Sequence, residues 1–188
     1  MAYKNMIYLR MCELPVASED MTLANFIVYE ELKEAFECAE AIANGSGPDW
    51  LVLSGGIDCG KTHLAVALCR HWISRGKPAK YAYVPLLLHE LREGYDHEGD
   101  ESFTYRFNVY CSVPMLVLDD LGAEHTTPWA QEKLDTIIDY RLMHALPLVI
   151  TTNLMIEELP PRISSRVQRH RHAHLIGIDA PEFRLRGG

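Results

Sequence analysis

A lysine and a threonine follow a glycine-rich turn in the stretch L-V-L-S-G-G-I-D-C-G-K-T-H-L, which covers residues 51–64. The spacing G-x-x-x-x-G-K-T is typical of a P-loop, in which backbone N–H groups surround phosphate oxygens and the lysine contacts the β and γ phosphates. The threonine hydroxyl of such a loop binds Mg²⁺. We therefore predict a nucleotide site made by Gly55, Gly56, Ile57, Asp58, Cys59, Gly60, Lys61, Thr62 and His63.

The elements on either side of this turn have the composition that a P-loop needs. The apolar run from Trp50 to Leu53 predicts a buried parallel strand, and Leu64, Leu68 and Trp72 recur at helical spacing. Gly76 stands where a helix C-cap is expected. The alternative, a glycine-rich β-to-α turn with no ligand, is disfavoured by the lysine and threonine that end the motif.

Asp58 departs from the many loops of this kind that carry glycine two places before the last glycine. Aspartate tolerates unusual backbone angles, but its carboxylate lies close to where the phosphates are expected. The local pattern G-x-x-D-x-G-K-T resembles that of translational GTPases. A GTPase is disfavoured, however, because guanine-reading proteins of that type use N-K-x-D, and no asparagine in this chain is followed by lysine.

Two further strands are predicted to end in polar side chains beside this turn. The stretch 113–118 is followed by Asp119, which we predict to help hold Mg²⁺, and by Asp120, which we predict to orient and deprotonate water. The stretch 147–152 ends at Asn153, which could sense the γ-phosphate or position water. The alternatives are a buried strand that ends in a polar turn and an ordinary turn asparagine.

Outside these motifs, the sequence gives less specific signals. Residues 1–20 are predicted to be a short leader without assigned structure, followed by one domain over residues 21–188. Thr127 and Pro128 are typical of a helix start. The remaining predicted elements are a helix from Phe26 to Ala43, a strand over 81–84, a helix from Pro85 and a strand over 174–178.

Composition limits the class of protein. The formal net charge is −8, which argues against a protein built to coat nucleic acid, so any DNA contact must be local. Five scattered cysteines fit a reducing cytoplasm, and no apolar run is long enough for a membrane span.

The acidic stretch 93–101 is interpreted as a solvated loop rather than a calcium site. The alternating His170, His172 and His174 are interpreted as solvated side chains rather than metal ligands.

These elements predict a three-layer α/β domain of the P-loop nucleoside triphosphatase type. Its parallel sheet has five strands, with helices on both faces and the nucleotide at the carboxyl ends of the strands. About ten residues follow the last predicted strand, so we expect little or no helical lid and modest nucleotide affinity.

In five stretches the chain resembles the DnaC/IstB family of AAA+ ATPases. They are T-L-A-N-F at 22–26, G-K-T-H-L-A at 60–65, L-V-L-D-D-L-G-A-E at 116–124, I-T-T-N-L at 150–154 and R-I-S-S-R-V at 162–167. The resemblance implies that Arg166 is an arginine finger acting on the ATP of a neighbouring subunit. It also implies that Arg162 is its companion, that Arg184 contacts nucleotide in the same subunit, and that the protein forms homo-oligomers with ATP.

The resemblance implies a helicase-loader-like ATPase that uses ATP and Mg²⁺, acts in DNA replication, binds single-stranded DNA and engages a replicative helicase. Two features depart from that pattern, since about 20 residues precede the matching region and the segment expected to contact DNA is acidic around 93–101. Slow hydrolysis is expected, because aspartate at position 120 reaches less far than the commoner glutamate. The alternatives are a transposition helper that directs a transposase on duplex DNA and a nucleotide-gated adaptor with negligible hydrolysis.

Overall fold

The computed structural model describes residues 2–96, 101–122, 127–171 and 173–183. Its centre is a five-stranded sheet in which every neighbouring pair of strands is parallel, in the order β2-β3-β4-β1-β5. This arrangement confirms the predicted fold class. The strands are β1 (Trp50–Gly55), β2 (Ala79–Tyr83), β3 (Met115–Asp119), β4 (Leu148–Thr152) and β5 (Ala173–Ile178).

Helices cover both faces of the sheet and give the three layers. Side chains of β1 alternate between two apolar cores: Leu51 and Leu53 pack towards one, and Trp50 and Val52 towards the other. The first three helices line the first core and the other four line the second. The helices are α1 (Ala2–Cys12), α2 (Lys33–Asn44), α3 (Lys61–Ser74), α4 (Val84–Asp96), α5 (Glu101–Ser112), α6 (Pro128–Met143) and α7 (Pro161–Arg169).

The two predicted helix-end signals are confirmed. The Thr127 hydroxyl accepts a hydrogen bond from the Ala130 N–H at 3.2 Å and so caps α6. Gly76, at a φ of 74°, donates its N–H to the Ile73 carbonyl at 2.8 Å just after α3. Both signals depend on neighbours within a few residues, which explains why the sequence shows them.

The N-terminal half of the chain differs from the prediction in two places. Residues 1–20, for which the sequence predicts no firm structure, contain α1, and Cys12 at its end is fully buried. The helix predicted from Phe26 begins only with a 3-10 turn at Glu30–Leu32 and continues as α2. Phe26 lies outside that helix because its ring stacks on Phe36, with 5.6 Å between the ring centroids.

Part of the stretch 93–101, predicted to be a solvated loop, is helical. Helix α4 continues to Asp96 and α5 begins at Glu101, while residues 97–100 lie outside the described part of the chain. Pro161 opens α7, where the fixed φ of proline suits the first turn. Over the ranges that the structure describes, no helix is long and apolar enough to cross a membrane.

Candidate nucleotide-binding site

The P-loop connects β1 to α3 in the geometry that the glycine positions require. Gly60 has a φ of 98°, and a Cβ placed there would lie 3.1 Å from the Phe26 ring, so both the backbone and the space favour glycine. Asp58 has a φ of 56°, in the left-handed region that aspartate tolerates better than most residues. Ile57 is 69% exposed at the tip of the turn. The backbone therefore forms a tight turn at the N-terminus of a helix, where anions bind well.

Lys61, the first residue of α3, is 6% exposed and its ammonium group meets several acceptors. Nζ donates to the carbonyls of Gly55 at 2.9 Å and Gly56 at 2.5 Å, and it contacts Cys59 Sγ at 3.6 Å. It also donates to Asn153 Oδ1 at 2.9 Å. The Lys61 ammonium group is thus held over the loop by Gly55 at the end of β1 and by Asn153, which follows β4.

The Asp119 carboxylate, 3% exposed at the end of β3, receives hydroxyl donors from three elements. The Thr62 hydroxyl lies 3.1 and 3.2 Å from its two oxygens. Thr151 donates to Oδ1 at 2.6 Å, and Tyr81 donates to Oδ2 at 2.6 Å. A hydroxyl beside a carboxylate at the mouth of a phosphate loop is the oxygen ligand set that Mg²⁺ prefers, so these residues fit the metal.

The Tyr81 phenol is held in its donor form. Burial, together with the negative charge of Asp119, raises the pKa of Tyr81 above its ordinary value. Sequence reasoning did not find this residue. Its contact with Asp119 joins positions 38 residues apart, which no local pattern reveals.

Asp120 and Asn153 meet at the ends of β3 and β4. Asp120 has a φ of 61°, and its N–H donates to the Thr151 hydroxyl at 2.9 Å. Asn153 Nδ2 donates to Asp120 Oδ1 at 2.7 Å, while its Oδ1 accepts from Lys61. The three predicted catalytic side chains of this part of the site are therefore linked by hydrogen bonds in the order Lys61, Asn153, Asp120.

A cavity of about 710 Å³ opens beside the P-loop and is bounded on one side by rings and aliphatic side chains. Phe26 lies edge-on to His63 with 5.0 Å between the ring centroids, and His63 Nε2 lies 3.0 Å from the Thr22 carbonyl oxygen. The Phe183 N–H donates to the Asp58 carbonyl at 2.9 Å, which brings the segment after β5 to the cavity. Sequence reasoning from the residues missed this wall, which consists of Met21, Phe26, Ile27, Tyr29, Ile57 and Phe183.

The two predicted arginines that the structure describes, Arg162 and Arg166, lie apart from this cavity. Arg166 donates Nε and Nη2 to the two Asp139 oxygens, the second at 2.6 Å, and Arg162 lies 3.3 Å from Asp135. The hydrogen bonds to Asp139 raise the pKa of Arg166. Neither arginine lines the cavity in the part of the chain that the structure describes, and Arg184 lies outside the described residues.

His170 and His174, two of the three alternating histidines, lie in different surroundings. His170 stacks on Trp50 with 4.6 Å between the ring centroids, and His174 Nδ1 lies 3.3 Å from Cys38 Sγ. His172 lies outside the described residues. His170 precedes β5, whereas His174 lies on it.

A parallel α/β sheet with a P-loop at one strand end and an acid at the end of another defines a P-loop nucleoside triphosphatase domain. The chain belongs to the IstB-like ATP binding protein family, whose sequence model matches residues 4–165. The resemblance expected from the five motifs is confirmed.

Helicase loaders and an insertion-sequence protein are among the relatives. The chain is 28% identical over 110 residues to the replicative helicase loader DnaI of Bacillus subtilis, covering 58% of this chain and 34% of that protein. It is 27% identical to the replicative helicase loader DnaC of Escherichia coli, covering 62% of this chain and 47% of that one. It is 29% identical to the putative ATP-binding protein Rv3427c in an insertion sequence of Mycobacterium tuberculosis, covering 72% and 56%. The match thus takes in less than two thirds of the length of each relative.

Two solved structures illustrate the shared fold. The crystal structure of DnaI superposes with a TM-score of 0.72 at 25% identity, covering 90% of this chain and 94% of that one. The replication initiator DnaA bound to AMPPCP and single-stranded DNA superposes with a TM-score of 0.78 at 22% identity, covering 89% and 52%. At this identity, the similarity to DnaA shows a shared fold only.

Proposed function

We propose that this protein binds and slowly hydrolyses ATP as a helicase-loader-like switch in DNA replication. The observation that carries the proposal is the convergence of Lys61, Thr62, Asp119 and Asn153 on the mouth of one P-loop. A buried ammonium, a hydroxyl beside a carboxylate, and an amide are the groups that phosphoryl transfer uses for positioning and charge neutralisation.

Each side chain has a distinct role in this proposal. Lys61 contacts the β and γ phosphates, and Asn153, bonded to Lys61, senses the γ-phosphate. Asp120, held through the Asn153 amide, orients water and accepts its proton. Thr62 and Asp119 hold Mg²⁺, which when bound neutralises charge on the phosphate oxygens.

The apolar wall of the cavity fits the base of the nucleotide. Phe26 and Tyr29 line one side of the cavity beside the P-loop, and Phe183 approaches from the segment after β5. Aromatic side chains bind flat heterocycles through stacking and exclusion of water. We therefore assign the adenine to this wall and the phosphates to the amides of residues 55–63.

Hydrolysis in this proposal needs a neighbouring subunit. Arg166 lies away from the cavity of its own chain, as an arginine that acts on a neighbour's ATP must. An arginine at the γ-phosphate stabilises the charge that develops during transfer. We assign that role to Arg166, a companion role to Arg162, and a contact with nucleotide in the same subunit to Arg184, and we propose homo-oligomers in the ATP state.

The partners are proposed from the relatives. DnaI and DnaC are named replicative helicase loaders, which supports a replicative helicase as partner. We propose single-stranded DNA as the ligand of such a loader. All five cysteines are free thiols, in keeping with a cytoplasmic location.

A transposition helper is the second candidate, and the insertion-sequence relative of Mycobacterium tuberculosis favours it. In that case the partner is a transposase and the DNA is duplex. A nucleotide-gated adaptor with negligible hydrolysis is the third candidate, favoured by the Asp58 carboxylate in the phosphate loop.

DNA binding in the presence of a non-hydrolysable ATP analogue separates these candidates. Fluorescence anisotropy with single-stranded and duplex oligonucleotides of equal length, on the parent protein and Lys61→Ala, measures both preferences at one salt concentration. The loader proposal expects tighter binding to the single strand, lost in Lys61→Ala. Tighter binding to the duplex would favour the transposition helper, and analogue binding without DNA binding or turnover would favour the adaptor.

A further inference from the structure

We propose that Tyr81 is the positioning residue for the Mg²⁺-holding carboxylate, acting through Asp119 without touching nucleotide or metal. The inference rests on the proposed function, because it assigns Asp119 to the metal. It adds a residue from β2, a strand that contributed nothing to the site predicted from the sequence.

The register of the sheet places the phenol at the carboxylate. Tyr81 pairs with Val117 in the parallel ladder of β2 and β3, and Tyr83 pairs with Asp119. Residues two apart on a strand share a face, so Tyr81 and Asp119 project to the same side of neighbouring strands, offset by two residues along the strand direction. The long phenol spans that offset and brings its hydroxyl to 2.6 Å from Asp119 Oδ2.

The donors fix the carboxylate in one orientation. Tyr81 reaches Oδ2 while Thr151 reaches Oδ1, both at 2.6 Å, so each oxygen has a hydroxyl on the protein side. Thr62, the other predicted metal ligand, lies between the two oxygens at 3.1 and 3.2 Å. The hydrogen bonds from Tyr81 and Thr151 restrain the rotation of the Asp119 carboxylate and hold it beside Thr62. Groups that do not bind the metal themselves commonly orient a metal ligand in this way.

Removing the phenol hydroxyl should therefore weaken metal use rather than nucleotide contact. In Tyr81→Phe the ring remains in the core, where Tyr81 is 7% exposed, while Asp119 Oδ2 loses a donor. Loss of such an outer partner commonly costs about 10- to 100-fold in metal affinity. Tyr110→Phe is the matched control, since it removes another buried tyrosine hydroxyl, on α5 in the opposite core.

The experiment titrates Mg²⁺ into each protein with a fluorescent ATP analogue and also measures analogue binding in EDTA. For Tyr81→Phe we expect the half-saturating Mg²⁺ concentration to rise about tenfold, with binding in EDTA unchanged and both values of Tyr110→Phe equal to those of the parent. A thermal melt of each variant checks folding.

Three results would overturn the inference. An unchanged Mg²⁺ requirement in Tyr81→Phe would show that the phenol does not act through the metal ligand. An equal loss of binding in EDTA would show a general structural defect. A parent protein that binds no analogue under either condition would overturn the proposed function itself, and the inference with it.

Discussion

Arg166 on α7 donates two hydrogen bonds to the carboxylate of Asp139 on α6 of the same chain, with Nη2 at 2.6 Å from Oδ2. A bidentate pair of this kind fixes both the position and the direction of a guanidinium. If Arg166 acts on the ATP of a neighbouring subunit, the pair either presents the arginine to that neighbour or holds it back. Removing the carboxylate distinguishes these two roles.

We expect Asp139→Asn to promote assembly. The asparagine keeps the shape but loses the charge, and a partly exposed ion pair is worth about 1 kcal/mol, which corresponds to about a fivefold lower protein concentration for half-maximal ATP turnover. Turnover measured against protein concentration tests this. Glu132→Gln, which changes an exposed carboxylate of the same helix, is the control and should behave as the parent. A higher concentration requirement in Asp139→Asn would mean that Asp139 presents the arginine.

Asp58 is expected to oppose the binding of phosphates. Asp58→Asn removes the negative charge and retains a side chain that tolerates the φ of 56° at this position. Because two like charges about 4 Å apart in water repel by about 1 kcal/mol, we expect the ATP affinity to rise about fivefold at low salt. Calorimetry at low and high salt measures this, and the gain should shrink as salt screens the charge. Weaker ATP binding in Asp58→Asn would show that the carboxylate supports the loop.

Arg141 stabilises the junction between α5, α6 and β4. It is fully buried, and its guanidinium donates to the carbonyls of Tyr110 at 3.2 Å, Cys111 at 3.1 Å and Pro147. Burial lowers its pKa to about 9. Truncation would leave these carbonyls without that donor and open a cavity beside them.

We expect Arg141→Ala to lower the free energy of unfolding by about 3 kcal/mol, the sum of lost packing and unpaired buried carbonyls. Urea denaturation followed by circular dichroism measures the change. Arg75→Ala, at an exposed position after α3, should change the stability by less than about 0.5 kcal/mol. A comparably small effect of Arg141→Ala would contradict the role assigned to the guanidinium.

The sequence predicted those parts of the fold that depend on residues close together in the chain. The P-loop motif, the apolar runs of the five strands and the Thr127 cap each depend on a few adjacent positions. Helix α1 was missed because Met6 and Met11 on it are 60% and 53% exposed, so its apolar residues do not form a clear buried stripe.

The parts of the candidate site that the sequence could not predict depend on contacts between distant elements. Tyr81 reaches Asp119 because β2 pairs with β3 in one particular register, and that register depends on the whole sheet. The sequence pattern places Phe26 at the start of a helix, whereas its ring packs between Phe36 and His63 beside the P-loop. The motif T-L-A-N-F, which contains Phe26, indicates family membership but does not predict where the Phe26 ring lies.

The central claim, a shared-site ATPase, is tested most directly by measuring Mg²⁺-ATP turnover of Lys61→Ala and Arg166→Ala, alone and mixed, with and without single-stranded DNA. We expect each variant alone to lose turnover, since Lys61 binds the phosphates and an arginine finger contributes about 10³-fold or more. In an equal mixture, about a quarter of the interfaces join an intact loop to an intact arginine, so about a quarter of the parent turnover should return. A mixture that stays inactive, while the parent turns over ATP and Arg166→Ala still binds it, would contradict the account.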